Sequence, residues 1–328
     1  MSNGANALVV IETSAGEVRE QSLEALAVAK ELSEDSGVVA VVVGHDIDAV
    51  AQDVAARGVE RVLMADDPAL ERYTTDAYTQ AIEAAIAAAQ PKVVLLAGTT
   101  AGRDLGPYLG ARAGVNCLSD CTALRWDGHA LVSTRPVFQG KMLSDVTSTG
   151  GGTQFAVLRA GVVEPAAAGG TSAPVEPLEV SIDASRLRVK LVDVTVPPVG
   201  GANLEDADVI VVGGRGVGSA EDFALIEELA AAFDAPVGAT RAVTDLGWRP
   251  HFEQIGQTGK TVRPKLYIGV GVSGAVQHTV GMQGSETIVA INRDPQAPIF
   301  KFAEIGVIGD LNEIVPALTT AVRAARGK

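Results

Sequence analysis

The sequence predicts an α/β protein of two domains with mainly parallel sheets. Three observations carry that reading. The chain has 328 residues, enough at roughly 100–200 residues per domain for two separate cores. Short apolar runs without polar alternation recur between longer amphipathic stretches, the pattern of parallel strands covered by helices on both faces. A stretch rich in Pro, Ala, Gly and Ser then separates two such series. Together these describe two Rossmann-like domains.

The elements follow in order. Ala7–Ile11 reads as a buried strand, and 21–32 as a helix with Leu23, Leu26, Ala27, Ala29, Lys30 and Leu32 at helical spacing. Residues 38–43 are a second strand ended by Gly44, 48–57 a helix and 61–64 a third strand. In 76–90, Ile82 and Ile86 lie one turn apart on a helix that Pro91 stops, and 93–97 is the fourth strand. Segments 122–125, 130–134 and 155–159 are short strands set off by turn residues such as Asp127-Gly128, which predicts antiparallel additions to the sheet. Residues 163–179 are a loop or extended connection, and a β-like run at 186–196 leads to Pro197-Pro198 and Gly200-Gly201. The domain boundary is expected there, giving 1–200 and 201–328. Beyond it come a strand at 209–212 and a helix at 222–233 capped by Ser219 or Glu221, with Leu225, Ile226, Leu229 and Phe233 on one face. Strands at 266–270 and 287–291 and a last helix around 315–325 complete the series.

Composition excludes several functions. With 26 Lys+Arg against 40 Asp+Glu the net charge is −14, which argues against nucleic acid and against an anionic membrane surface. Residues 1–200 carry −10 of it and 201–328 only −4. A hydrophobic fraction of 47% excludes disorder for most of the chain. Cys117 and Cys121 are four apart with no further Cys or His near enough for a metal site, and read as inert thiols in a reducing compartment. No apolar stretch reaches the roughly 20 residues that span a bilayer, and 1–6 is polar. A cytoplasmic protein without membrane insertion is expected.

Candidate ligand loops crowd the second domain. Gly213-Gly214-Arg215-Gly216-Val217-Gly218 follows a strand and precedes a helix, where glycines admit a pyrophosphate and the helix start offers free N–H groups. The third glycine of the dinucleotide fingerprint is replaced by Ser219. Gly238-Ala239-Thr240-Arg241 places a hydroxyl and a cation at another strand edge. Gln254-Ile255-Gly256-Gln257-Thr258-Gly259-Lys260 packs amides, a hydroxyl and glycines together without the spacing of a Walker loop. Gly271-Val272-Ser273-Gly274-Ala275-Val276-Gln277-His278 follows the strand at 266–270 directly, which favours a functional role for this histidine over a structural one. Asn292 ends a strand, and Asp310-Leu311 precede the last helix. The major features fall at the C-terminal ends of strands, the edge where open parallel sheets bind ligands.

In combination these segments resemble the alpha subunit of electron transfer flavoproteins. The carrying stretches are GGRG at 213–216, VGATRAVTDLGW at 237–248, QIGQTGK at 254–260, LYIGVGVSGAVQH at 266–278, IVAINRD at 288–294, API at 297–299 and IGDLNEIVP at 308–316. In the first domain, 94–114 and SDCTAL at 119–124 look like the family too. The resemblance implies that the second domain holds FAD. It implies that Arg215 contacts the cofactor and that Arg241, beside the isoalloxazine, favours its reduced anionic forms. Thr240 stands where the family usually has Ser. Thr258 would bond near flavin N5 and His278 near the pyrimidine O2/N1 edge. Gln254, Ile255, Gly256, Gln257, Gly271, Val272, Ser273, Gly274, Ala275, Val276, Gln277, Asn292, Asp310 and Leu311 complete the implied set.

The resemblance also implies a heterodimer with a beta subunit that completes the flavin cleft and holds AMP. Such a carrier has no substrate of its own. It moves electrons from flavoprotein dehydrogenases, such as acyl-CoA dehydrogenases, to a membrane quinone oxidoreductase. The alternative within the family is an electron-bifurcating form that uses NADH and a second FAD in the beta subunit. Two rivals come from other classes. A nicotinamide dehydrogenase is permitted by the Gly214-x-Gly216 turn, but 235–240 lacks the acidic residue expected about 20 positions on. A non-redox nucleotide-binding module would be colourless.

Overall fold

The computed structural model describes residues 6–14, 16–33, 37–138, 140, 142–148, 151–169, 172–193, 204–205 and 207–327. The chain divides into two compact units, Met1–Val194 and Thr195–Lys328.

The first unit is a seven-stranded, wholly parallel sheet. Its strands are β1 (Ala7–Ile11), β2 (Val38–Gly44), β3 (Arg61–Asp66), β4 (Val93–Ala97), β5 (Cys117–Cys121), β9 (Gln154–Leu158) and β10 (Val175–Pro177). They lie in the order β10-β3-β2-β1-β4-β9-β5. Helices α1 (Glu20–Leu32), α2 (Asp48–Ala55), α3 (Thr75–Ala89) and α4 (Thr100–Arg112) cross between them. Alternate strand residues feed two cores, one around Val9, Leu26, Val42 and Leu95, the other around Leu8, Val41, Ile82 and Phe155. β1, β2, β4 and β9 are buried along their whole length, as strands sandwiched between helix layers must be.

Three expectations need correction. The strand expected at 155–159 as an antiparallel addition is β9, which lies parallel between β4 and β5. Its five buried residues, Gln-Phe-Ala-Val-Leu, have the unbroken burial of a central strand. The other two short strands, β6 (Ala123–Asp127) and β7 (Ala130–Val137), do pair antiparallel, but in a separate three-stranded sheet completed by β8 (Met142–Thr147). The β-like run expected at 186–196 instead starts on the last residue of a 3-10 turn, Ala184–Arg186, and continues as irregular chain to 193. Its last residues, with Pro197-Pro198 and Gly200-Gly201, lie outside the described residues.

At Arg188 the chain is anchored by an ion pair rather than by sheet pairing. The Asp76 carboxylate accepts from the Arg188 backbone N–H at 2.8 Å and from its guanidinium at 2.7 Å, and Tyr108 donates to it at 3.3 Å. Helix α4 escaped the sequence reading because Gly102, Gly106, Gly110 and Pro107 lie inside it. These glycines let the helix sit against the sheet: a Cβ on Gly106 would come 2.5 Å from the Val157 side chain. Cys117 and Cys121 are free, and burial pushes the Cys117 thiol up to about 12 and raises Cys121, so both stay protonated.

In this sheet the chain reverses its direction of winding between β1 and β4. Glu12, the residue after β1, fills that crevice: its carboxylate lies 2.7 Å from the Thr99 hydroxyl, which itself caps α4 by accepting from Gly102 N–H at 3.0 Å.

The second unit is a five-stranded parallel sheet in the order β12-β11-β13-β14-β15, formed by β11 (Val209–Gly213), β12 (Val237–Ala239), β13 (Leu266–Val270), β14 (Thr287–Asn292) and β15 (Ile305–Ile308). On one face Val211, Ile268 and Val270 pack with α5 (Phe223–Phe233) and α8 (Leu311–Ala325); on the other Ile210, Val212 and Tyr267 pack with Ile255, Met282 and Ile299. The first cap named for α5 is displaced by a turn: Ser219 Oγ accepts from Asp222 N–H at 3.2 Å, just outside the helix. Helix α8 begins at Leu311 rather than Val315, because Asp310 accepts from Asn312 N–H at 2.9 Å and starts it a turn before Pro316. The winding reverses between β11 and β13, so the ligand crevice of this fold lies there.

Candidate functional site

Four strand ends converge on one cleft of about 840 Å³, toward the upper end of the roughly 300–1,000 Å³ usual for small-molecule sites. The loop after β11 brings Arg215 and Gly216, and the end of β12 brings Thr240 and Arg241. The segment 254–258 supplies Gln254, Ile255, Gly256, Gln257 and Thr258. Beyond β13 come Gly271, Val272, Ser273, Ala275, Gln277 and His278, and Asn292 ends β14.

The loops touch backbone to backbone, which explains their glycines. Gly271 has φ +62, and a Cβ on it would sit 2.8 Å from the carbonyl carbon of Gly216, whose N–H donates to the Gly271 carbonyl at 3.0 Å. Gly256 has φ +139 and a Cβ there would strike the Gln277 carbonyl at 2.5 Å. Their first task is thus to let neighbouring loops close-pack and form the cleft wall.

Four residues of the implied set do not line the cleft. Gly274 packs under Ile299, whose N lies 2.2 Å from where a Cβ would be. Val276 is exposed at the start of α7 (Val276–Thr279). Asp310 caps α8, and Leu311 packs against the core beneath it. Asp245, which follows the Gly238–Arg241 candidate in sequence, lines the cleft with it, and so do Ala242, Arg293, Asp294, Ala297 and Pro298, which the sequence alone does not single out. Arg293 was the findable one, since it follows Asn292 at the end of a strand.

The polar groups sort by what already engages them. Among the described residues, Arg215, Gln257, Ser273 and Gln277 are exposed and make no side-chain hydrogen bond. Arg241 reaches Asp245 at 3.3 Å, one turn along α6 (Arg241–Asp245). Thr258 Oγ1 accepts from Gln254 Nε2 at 3.0 Å, and Gln254 Oε1 accepts from Thr244 at 2.8 Å. Asn292 donates to the Val272 carbonyl at 2.8 Å and accepts from Asp294 N–H at 2.9 Å, so it locks two loops together.

His278 lines the cleft from a buried position. It is 6% exposed, with Nδ1 at 2.9 Å from the Ile255 carbonyl and Nε2 at 2.7 Å from the Tyr267 hydroxyl. Burial holds its pKa down at about 4. Both nitrogens are engaged inside the protein, which holds the ring neutral and fixed.

The relatives of this chain decide what such a cleft belongs to. Residues 7–183 match the electron transfer flavoprotein domain and 203–283 the electron transfer flavoprotein FAD-binding domain. The electron transfer flavoprotein subunit alpha of Thermoanaerobacterium thermosaccharolyticum is 39% identical over 319 residues, covering 96% of this chain and 97% of the relative. The chain belongs to the electron transfer flavoprotein alpha-subunit family. The corresponding subunit of Bacillus subtilis is 39% identical, covering 96% of this chain and 97% of its own. The acryloyl-CoA reductase electron transfer subunit beta of Anaerotignum propionicum is 33% identical, covering 97% and 95%.

Membership in the alpha-subunit family sets the nicotinamide dehydrogenase and the non-redox module aside, and makes FAD the cofactor and electron transfer the role. The donor set agrees. The cleft combines three guanidinium groups, Arg215, Arg241 and Arg293, with hydroxyls and amides at Thr240, Ser273, Gln257 and Gln277. Cations with flanking neutral donors suit a ligand that carries a pyrophosphate and an acceptor-rich ring.

Proposed function

We propose that this chain is the FAD-holding half of a two-subunit electron carrier that takes electrons from flavoprotein dehydrogenases, acyl-CoA dehydrogenases among them, and passes them to a membrane quinone oxidoreductase. The observation that carries this reading is the cleft at the winding reversal between β11 and β13, lined by Arg215 from one side and Ser273 from the other. When bound, the flavin supplies the redox chemistry, and the chain's residues bind it and tune its potential. Arg215, beside the glycine turn, faces an anionic linker. Arg241, exposed beside Asp245, favours a ring gaining negative charge. Tyr267 and the Ile255 carbonyl hold His278 as a neutral wall. The exposed rims of Gln257, Ser273 and Gln277 supply hydrogen bonds.

The partner is an electron transfer flavoprotein beta subunit, with AMP in it for the simple carrier. The other reading within the family is the bifurcating form, with NADH as donor and a second FAD in the beta subunit. Co-expression of the two subunits tests both. Visible bands near about 450 nm, released on denaturation as FAD, support the carrier; a colourless complex overturns it. One FAD plus AMP per complex marks the simple carrier, and two FAD the bifurcating form.

A further inference from the structure

We propose that Thr244 and Gln254 are positioning residues that set the Thr258 hydroxyl as a hydrogen-bond donor into the cleft, an inference that rests on the FAD reading. Thr244 lies on α6, 3% exposed, and Gln254 is 5% exposed, whereas Thr258 faces the cleft. The three side chains form a line from the core to the ligand surface. Thr244 Oγ1 is 2.8 Å from Gln254 Oε1, and Gln254 Nε2 is 3.0 Å from Thr258 Oγ1.

The amide is placed with its oxygen toward Thr244 and its NH₂ toward Thr258, and the two distances agree with that placement. Hydroxyl-to-oxygen bonds centre near 2.7–2.8 Å and N–H bonds to oxygen near 2.9–3.0 Å. The short contact therefore suits Thr244 donating to the amide oxygen, and the longer one suits the amide NH₂ donating to Thr258. The reverse orientation would fit both bonds worse. It would also leave the Thr244 proton to the Arg241 carbonyl at 3.0 Å, at the long end for a hydroxyl donor.

The loop keeps Gln254 from turning away. Its N–H donates to the His251 carbonyl at 3.1 Å, and its carbonyl accepts from Lys260 N–H at 2.7 Å. Gly259 closes over it, for a Cβ there would lie 2.2 Å from the Gln254 carbonyl oxygen. Thr258 thus has a lone pair engaged by the protein and its single proton left over. With the amide reversed it would give that proton to Gln254 and show the cleft only lone pairs. Two buried side chains so decide that the ligand atom opposite Thr258 is an acceptor, a ring nitrogen or a carbonyl oxygen.

The test uses the full chain co-expressed with its partner subunit. Thr244→Val keeps the shape and removes the donor; Thr244→Ser restores it; Thr258→Val removes the terminal hydroxyl. Thr244→Val is expected to weaken FAD binding roughly three- to tenfold and to shift the visible flavin band in the same direction as Thr258→Val, with Thr244→Ser close to wild type. The double variant Thr244→Val/Thr258→Val is expected to be no worse than Thr258→Val alone, because one residue acts through the other. Additive losses, or a Thr244→Val protein with wild-type affinity and spectrum, overturn the proposal.

Nuclear magnetic resonance of the Gln254 side-chain amide in the ligand-free full chain gives a readout independent of FAD. One amide proton is expected to be shielded from exchange in wild type and Thr244→Ser and to lose that protection in Thr244→Val. An amide indifferent to Thr244→Val overturns the relay. A protected amide in a wild-type chain that takes up no FAD supports the relay and overturns the flavin reading instead.

Discussion

The phenolic hydroxyl of Tyr267 lies 2.7 Å from Nε2 of His278. The carbonyl of Ile255, 2.9 Å from Nδ1, can only accept, so Nδ1 carries the proton and Nε2 accepts from the tyrosine. This pairing stabilises the neutral ring, and burial lowers its pKa to about 4.

The unfolded chain takes up this proton near the ordinary value of 6.5 and the folded one only near 4. Stability is therefore complete above about pH 6.5 and falls as the pH drops toward 4, by of order 3 kcal/mol from this group. Carbon-bound proton shifts of His278 should stay flat from pH 9 to 5 in the ligand-free protein. Tyr267→Phe should raise the histidine pKa and lower stability by about 1–2 kcal/mol. Redox titration of the complex should show no His278-linked inflection between pH 6 and 9.

Arg241 is exposed and its ion pair with Asp245 is 3.3 Å long, so it is free to respond to charge in the cleft. Arg241→Ala should lower the flavin midpoint potential by tens of millivolts, a cation a few ångströms away in a wet site being worth about 1 kcal/mol. Asp245→Asn should raise it by removing the competing carboxylate. An unchanged potential in both variants would remove Arg241 from the tuning role.

Gly271→Ala should cost about 2 kcal/mol or more in denaturant unfolding, because the residue has φ +62 and its new Cβ would press into Gly216. Flavin content after dialysis should fall with it. A variant of wild-type stability would show that the two loops separate readily.

Asp76→Asn should open the segment around 184–193 to hydrogen exchange and protease while leaving flavin content intact. The Arg188 guanidinium and backbone N–H hold the Asp76 carboxyl down at about 2. Its contribution is thus present above the ordinary value of 3.8 and lost as pH falls toward 2. Equal exchange in the two proteins would count against the anchor.

The α/β rhythm was legible because unbroken runs such as Val38–Gly44 have no other stable use than a strand buried on both faces. β9 was assigned the wrong pairing because its neighbours in sequence are antiparallel, and nothing local says that a strand at 154–158 returns to the centre of a sheet. Helix α4 is hidden by three glycines that serve close packing: a Cβ on Gly102 would strike the Ala97 carbonyl, one on Gly106 the Val157 side chain and one on Gly110 the Val115 carbonyl. At the cleft, the glycine loops and both first-named arginines were visible as strand-end residues. Roles set by tertiary partners were not: the neutrality of His278 depends on Tyr267, and the capping by Asp310 depends on where α8 begins.

Glu12 gives the chain's two parallel sheets opposite preferences. At the winding reversal of the first unit, a carboxylate already stands against the Thr99 hydroxyl at the start of α4, where a phosphate would otherwise find its donors. The equivalent crevice of the second unit presents arginine. The architecture is used twice, but only one copy is set to receive an anion. The crevice of the first unit is thus closed by the chain's own carboxylate, while that of the second is left open as a cleft.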